Sequence, residues 1–119
     1  IKIFTDLRGW KEGHSLVLKI YKITQRFPKE EQFGLTSQLR RAAVSITSNI
    51  AEGFSRHSYK EKVRFYYMAL GSITEVQNQL LVARDLKYIL KEEFGQQALR
   101  TVDVHKMLNG LIKASKTHY

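Results

Sequence analysis

The chain has 119 residues, enough for one domain (residues 1–119) and too few for two of ordinary size. Its hydrophobic content of 43% is typical of a folded protein and excludes a disordered one. The absence of cysteine excludes disulfides, thiol nucleophiles and thiolate metal sites, and it predicts a reducing, cytoplasmic location. No apolar run reaches the length of a membrane helix, so we expect no membrane contact.

Basic residues outnumber acidic ones by 20 to 11, which gives a net charge of +9 spread over both halves of the chain. A folded, evenly basic domain indicates a polyanionic partner, most often nucleic acid. Excess lysine also keeps a small protein in solution, so the charge alone leaves both interpretations open.

The first predicted helix covers residues 7–27 and ends before Pro28, the one proline of the chain. Asp6 is the expected N-cap residue. Apolar residues recur at helical spacing along this segment and predict its buried stripe. The stripe comprises Trp10, Leu16, Val17, Ile20, Tyr21, Ile23, Thr24 and Phe27.

The second predicted helix, residues 33–54, combines an apolar stripe with many small and polar residues. The stripe comprises Leu35, Leu39, Ala42, Ala43, Ile46, Ile50 and Phe54. Small residues allow close helix approach, and buried amides and charges need partners. We therefore predict a structural polar network, formed within the chain or with a neighbouring subunit. Its members are Gln38, Arg41, Asn49 and Glu52.

The third predicted helix, residues 59–88, opens with a capping box in which Ser58 is the cap and Glu61 follows three residues later. The fourth covers residues 92–115 and opens with acidic residues, which the helix dipole favours there. The stripe of the third helix is Val63, Tyr66, Ala69, Leu70, Ile73, Val76, Leu80 and Ala83, and that of the fourth is Phe94, Ala98, Val102, His105, Leu108 and Ile112.

Four helices with short connections predict an all-α, up-down-up-down four-helix bundle. The third and fourth helices carry further apolar residues off their stripes, namely Tyr67, Leu81, Val82, Leu86, Leu99, Met107 and Leu111. Either both neighbouring helices wrap the third helix, or a second apolar face mediates self-association. We prefer self-association, because a monomer rarely leaves so much apolar surface in water.

No constellation of catalytic residues is present, so we predict a protein that is not an enzyme. The four histidines form no i,i+4 pair, and none follows a glutamate at the spacing of a bundle di-metal site. His105 on the fourth stripe is more often a packed histidine than a ligand. No glycine-rich phosphate loop occurs, so we expect neither a metal nor another cofactor.

The cations follow the helical period on two helices. Lys11, Lys19, Lys22 and Arg26 recur along the first helix, opposite its apolar stripe. On the third helix, Lys60 and Arg64 share a face with Tyr67. Cations beside an aromatic ring can hold phosphates and stack an unpaired base, although such faces are more often merely solvated. The nucleic-acid-binding candidates are Lys11, Lys19, Lys22, Arg26, Lys60 and Arg64, with Arg40 as a further candidate, whereas Arg41 is assigned to the polar network.

Many of these residues also match a family signature. The matching runs are Phe27 to Glu31, Gly34 to Ala43, Ser45-Ile46 and Ser48 to Gly53, with Asp6-Leu7, Trp10 and Glu75-Val76. Over nearly its whole length the chain resembles the 23S rRNA intervening-sequence proteins, also called four-helix bundle proteins. One departure is Thr47, where the family often has proline, and without proline we expect a straighter second helix.

The resemblance implies a small bacterial protein that assembles as a homopentamer around a central channel. A related protein, the accessory variability factor of diversity-generating retroelements, is a basic pentamer that binds nucleic acid and a reverse transcriptase. No catalytic residues come with the family, so the resemblance assigns none here.

Two functional hypotheses follow. In the first, the protein is an oligomer that binds nucleic acid, RNA rather than DNA, and most of all structured or ribosomal RNA. In the second, it is a scaffold whose basic surface recruits a protein partner such as a polymerase or reverse transcriptase.

Overall fold

The computed structural model describes residues 1–117 and contains four long helices. They are α1 (Arg8–Thr24), α2 (Leu35–Ser55), α3 (Tyr59–Asp85) and α4 (Lys91–Thr117), and single 3-10 turns lie at Phe4–Asp6 and Lys29–Glu31. No strand occurs between residues 1 and 117, so the predicted four-helix, all-α fold is confirmed. In the same range, no helix is both long and apolar enough to cross a membrane.

Successive helices pack side by side, and α4 packs back against α1. At one end of the bundle, the Tyr88 hydroxyl donates to Glu31 Oε2 across 3.1 Å, which joins the α3–α4 and α1–α2 connections. At the other end, Lys62 Nζ near the start of α3 donates to the Phe54 carbonyl at the end of α2, across 2.7 Å. Because these contacts place successive connections at opposite ends of the bundle, successive helices run antiparallel. The molecule is 47 Å long.

Asp6 does not cap α1, contrary to the sequence-based expectation. It lies in the 3-10 turn before α1, where its carboxylate accepts from the backbone N–H groups of Lys2 (3.2 Å) and Ile3 (3.4 Å). Leu7 occupies the N-cap position of α1 and offers no side-chain acceptor. By contrast, Ser58 caps α3 as predicted, because its hydroxyl accepts from the Glu61 N–H at 3.2 Å.

Two helices end three residues earlier than the pattern predicts. α1 ends at Thr24, whose hydroxyl donates to the Ile20 carbonyl at 2.6 Å, and buried Phe27 belongs to the turn before Pro28. α3 ends at Asp85 because Lys87 adopts a left-handed conformation with φ 64°. The Tyr88 N–H then bonds back to the Ala83 carbonyl at 2.9 Å, which is the Schellman stop signal.

The core lies along the bundle axis and is mainly aliphatic. All six residues that define the predicted phases of α2 and α3 are almost fully buried, namely Leu39, Ile46, Ile50, Tyr66, Ile73 and Leu80. Near the end of α2 the helices approach so closely that a Cβ atom on Gly53 would lie 2.5 Å from Tyr66 Cε1. α2 also continues unbroken through Thr47, at the position where the family often has proline.

The predicted phase of α4 is wrong. Val102 is 40% exposed, and Phe94, Ala98 and His105 are only partly buried, although Leu108 and Ile112 do lie in the core. The inward face instead carries Gln97, Thr101, Val104, Leu108, Ile112 and Ser115. Several residues of this inward face are polar, so the apolar pattern of the sequence did not reveal it. Their side chains form hydrogen bonds within the protein. The Thr101 hydroxyl donates to the Ala98 carbonyl and accepts from Gln77 Nε2.

Some apolar residues do remain on the surface. Tyr21, predicted to lie on the buried stripe of α1, is 41% exposed, and the Arg40 guanidinium covers its ring at 4.6 Å. Of the off-stripe residues on α3 and α4, five are exposed, namely Tyr67, Leu81, Val82, Leu86 and Leu99. Met107 and Leu111 are partly buried beside the start of α1.

Candidate nucleic-acid interface

A cluster of cations and rings surrounds the start of α3. Because Ser58 fixes where α3 begins, Lys60, Arg64 and Tyr67 recur four and then three residues apart and share one face. All three are exposed, and Tyr67 shows 55% of its surface. We call these residues, together with Arg56 and Phe65, the α3 patch.

Phe65 organises the α3 patch. The guanidinium carbon of Arg56 lies 4.6 Å from the centre of its ring, and that of Arg64 lies 4.7 Å from it. The negative face of an aromatic ring attracts a cation at such a distance, so one ring positions two guanidinium groups. Arg56 comes from the α2–α3 connection, which explains why helical spacing alone did not reveal it.

The cations of the α3 patch differ in their ion pairing. Arg56 Nη2 pairs with Glu52 Oε2 at 3.0 Å, one helical turn away. Lys60 and Arg64 form no ion pair within residues 1–117. These two charges are therefore available to an external anion without the prior loss of an internal one.

The cations of α1, namely Lys11, Lys19, Lys22 and Arg26, are less available to an external anion than Lys60 and Arg64 are. The lysines are exposed, but Arg26 pairs with Glu93 at the start of α4. Lys19 lines a groove that also contains the carboxylates of Glu12 and Asp103. In that groove Arg100 pairs with Glu12 at 3.0 Å and donates to the Gln97 amide at 3.2 Å. This α1–α4 cluster was not found from the sequence, because its members lie 88 residues apart.

The two sets of candidate cations do not form one surface. Arg26 lies where α1 ends and α4 begins, whereas Lys60 lies near the start of α3 at the opposite end of the 47 Å molecule. Lys11, near the start of α1, lies at the same end as Lys60, but α1 and α3 do not contact each other within the described residues. A single ligand that used both sets would have to reach around the bundle, and along most of its length to include Arg26.

The adjacent arginines of α2 occupy different environments. Arg40 Nε donates to the Thr24 hydroxyl at 2.8 Å, and its Nη2 donates to the Tyr21 carbonyl at 3.3 Å, so it ties α2 to α1. Arg41 is exposed, and its side chain has no hydrogen bond or ion pair within the described residues. The sequence suggested the reverse assignment, with Arg40 free to bind nucleic acid and Arg41 held in the polar network.

The four residues of the predicted polar network do not bond to one another within residues 1–117. Asn49 Nδ2 donates to the Ser45 carbonyl (2.9 Å) and hydroxyl (3.1 Å), and Glu52 pairs with Arg56. Gln38 and Arg41 line a groove between α2 and α3. Bonds from these residues to a neighbouring subunit remain a prediction.

Lys62 is a structural cation. Its ammonium donates to the last carbonyls of α2 at Phe54 (2.7 Å) and Gly53 (3.4 Å), where the helix dipole favours positive charge. Partial burial lowers the pKa of Lys62. Its two hydrogen bonds and its position make Lys62 a C-terminal cap of α2, so we leave it out of the α3 patch.

No group of three side chains in residues 1–117 has the arrangement of a metal site. Two of the histidines lie in ordinary packing environments: His14 stacks on Trp10 at 4.7 Å, and His105 Nδ1 lies 3.2 Å from Asn109 Nδ2.

These features define a class of protein, the basic all-α four-helix bundles. A family model described as 23S rRNA-intervening sequence protein matches residues 5–110, and the chain belongs to this family. A similar solved structure is the crystal structure of a protein of unknown function from the S23 ribosomal protein family of Bacteroides thetaiotaomicron. It is 21% identical over 88% of this chain and 98% of that chain, with a TM-score of 0.79, and at this identity it shows the fold alone. The search of curated proteins gives no match.

Proposed function

We propose that this protein is a non-enzymatic, homo-oligomeric bundle that binds structured RNA in the cytoplasm through electrostatic contacts. The observation that carries the proposal is the α3 patch, where unpaired Lys60 and Arg64 lie beside exposed Tyr67 and the Phe65 ring. The net charge of +9 supports it, and so does membership of a family named after 23S rRNA.

The physical basis is the release of counterions. Each lysine or arginine that meets a phosphate frees a condensed cation, which makes binding strong at low salt and weakly dependent on sequence. The exposed Tyr67 ring adds a surface on which an unpaired base can stack. RNA presents such bases in loops and bulges, whereas duplex DNA holds them in the stack, so RNA is the favoured ligand.

Retention on heparin and on immobilised ribosomal RNA at graded salt tests this proposal. We expect the protein to remain on both matrices at low salt and to leave the RNA as the salt concentration rises. A charge-matched DNA duplex should retain it less well than a hairpin RNA. Passage through both polyanion matrices at low salt would contradict the proposal.

Self-association is the second part of the proposal. Leu81, Val82, Leu86, Leu99 and Val102 are exposed on α3 and α4, and contact with another copy would remove them from water. The family resemblance favours five copies. In a ring, each α3 patch would be repeated once per subunit, and weak contacts would combine through effective concentration.

Light scattering coupled to gel filtration measures the assembly. We expect a mass well above the 13.9 kDa of one chain, with five copies as the preferred number. The double variant Leu81→Gln/Leu99→Gln should lower that mass, whereas Leu18→Gln, which changes a leucine of similar exposure on α1, should leave it unchanged. A monomeric parent protein at micromolar concentration would overturn this part of the proposal.

One observation favours a protein-interaction scaffold as the alternative. Phe33, in the α1–α2 connection, is 91% exposed, and an aromatic ring in that state is typical of a contact residue at protein interfaces. The partner would be a protein that itself carries nucleic acid, such as a polymerase or reverse transcriptase. Under this alternative, Phe33→Ala abolishes binding of a purified reverse transcriptase, and the protein passes through the RNA matrix at physiological salt.

A further inference from the structure

A polar groove of about 350 Å³ lies between α2 and α3. Its lining comprises Gln38, Arg41, Ala42, Ser45, Glu75 and Gln79, and we call it the α2–α3 groove. A bond of 2.8 Å between the hydroxyls of Ser45 and Ser72 fixes the register of the two antiparallel helices beside it. Arg41 lies one turn before Ser45 in α2, so it is opposite the turn of α3 that follows Ser72 and contains Glu75.

The groove presents hydrogen-bonding groups that have no partners. The Arg41 guanidinium and the Glu75 carboxylate are exposed, and neither forms an ion pair within residues 1–117. Gln79 is only 9% exposed, and its Oε1 is covered yet accepts no hydrogen bond from the described residues. A buried acceptor without a donor is costly, so the Gln79 side chain gains when it turns towards the groove and accepts a hydrogen bond from a ligand there.

We propose that the α2–α3 groove binds an unpaired guanine base, an inference that rests on the proposed binding of RNA. The Arg41 fork can donate to the O6 and N7 acceptors of guanine, which is the commonest specific contact between arginine and a base. The Glu75 carboxylate can accept from N1–H and from the exocyclic amine. Once the Gln79 side chain turns towards the groove, the second hydrogen of that amine supplies the donor that its Oε1 lacks.

The other bases fit this set of groups less well. Adenine and cytosine direct a ring acceptor, N1 or N3, at the Glu75 carboxylate, which also accepts. Uracil supplies one ring N–H but no exocyclic amine for Gln79. The groove therefore adds a preference for one base to contacts that are otherwise independent of sequence.

The groove is placed to act together with the α3 patch. Glu75 follows Arg64 by eleven residues, close to three full helical turns, so the two side chains lie on the same face of α3. The rise between them is about 16 Å, which a few nucleotides span. An RNA loop whose phosphates lie on the α3 patch can thus deliver one unpaired base to the groove.

The test uses the full chain and three hairpin RNAs that differ at one loop position, which holds guanine, inosine or adenine. Inosine retains O6, N7 and N1–H and lacks only the exocyclic amine. By fluorescence anisotropy, we expect the guanine hairpin to bind about tenfold more tightly than the adenine hairpin, with inosine between them. Equal affinity for the three hairpins would overturn the inference.

Matched variants assign the preference to the groove. Arg41→Ala and Glu75→Gln should each abolish the discrimination between guanine and adenine. The charge-matched controls Lys113→Ala and Glu92→Gln lie outside the groove and should preserve it. Gln79→Leu, checked for unchanged helicity and melting temperature, should reduce the difference between guanine and inosine, and the bond from the exocyclic amine to Glu75 should preserve the rest of it. Discrimination that survives Arg41→Ala would refute the assignment.

Two further measurements distinguish RNA from a free nucleotide and from a second copy of the chain as the ligand of the groove. Saturable binding of guanosine monophosphate that Arg41→Ala abolishes supports a free nucleotide as the source of the base, whereas discrimination among hairpins without it supports RNA. A loss of oligomer mass in Arg41→Ala, combined with equal hairpin affinities, would assign the groove to a second copy and overturn the inference. If no hairpin binds at low salt, the proposed function itself fails, whereas equal binding of all three refutes only the guanine site.

Discussion

The contact between Gly53 and Tyr66 gives the sharpest prediction about stability. A Cβ atom on Gly53 would lie 2.5 Å from Cε1 and 2.8 Å from Cδ1 of Tyr66, and 3.1 Å from the Lys62 carbonyl oxygen. Tyr66 is 1% exposed, so a shift of its ring disturbs the core packed around it. Gly53→Ala therefore forces α2 away from α3 at the end where Lys62 caps α2.

Two opposing effects determine how much Gly53→Ala changes the free energy of unfolding. Overpacking a rigid core costs about 1–3 kcal/mol, and a contact this short with a buried ring belongs at the upper end. Alanine regains about 1 kcal/mol of helix propensity over glycine. The free energy of unfolding should therefore fall by about 2 kcal/mol in Gly53→Ala.

Urea unfolding followed by circular dichroism measures this difference, and the chain offers a matched control. Gly110 lies within α4 and is exposed, and apart from its own helix backbone none of the described residues would lie within 4 Å of a Cβ atom at this position. Gly110→Ala should therefore raise the free energy of unfolding by about 0.5–1 kcal/mol, through propensity alone. A Gly53→Ala protein that is as stable as the parent would refute the close approach of α2 and α3.

Three further predictions concern the core and the connections. Ile46→Ala or Leu80→Ala should lower the free energy of unfolding by about 2–5 kcal/mol, as other large-to-small core changes do. Lys87→Gly should raise the unfolding free energy by about 0.5–1 kcal/mol, because glycine adopts φ 64° without the steric cost that lysine bears; a loss of stability would contradict this. The hydrogen bond to Glu31 raises the pKa of Tyr88, so its contribution is present below the usual tyrosine pKa and is lost as the pH rises through the higher folded value. Tyr88→Phe should thus be less stable than the parent at neutral pH, and the gap should close in strong alkali; a pH-independent gap would argue against this bond.

The fold was predictable where apolar spacing and helix signals agreed. The phases of α2 and α3 followed from Ile46, Ile50 and Ile73, and Ser58 marked the start of α3. The phase of α4 failed because buried Gln97 and Thr101 resemble surface residues, while exposed Val102 resembles a core residue. No local rule distinguishes a polar side chain that faces the core and forms its hydrogen bonds there from one that faces water.

The candidate interface was predictable only in part. The helical spacing of Lys60, Arg64 and Tyr67 revealed one face of the α3 patch, because that face depends on one helix alone. Arg56 reaches the Phe65 ring from the α2–α3 connection, and no simple period in the sequence encodes the course of that connection. The different environments of Arg40 and Arg41 arise from the contacts of Arg40 with α1, which the pattern of α2 alone does not reveal.

The most direct test of the central claim is the salt dependence of RNA affinity in two double variants of equal charge. Lys60→Ala/Arg64→Ala removes the unpaired cations of the α3 patch, and Lys22→Ala/Arg26→Ala removes cations at the other end of the bundle. Both proteins must first show the fold and mass of the parent. Each lost phosphate contact reduces the slope of log affinity against log salt by about one for each subunit engaged. We predict a larger reduction for the α3 patch variant, with its base preference unchanged, whereas a parental affinity and slope in both variants would contradict the account.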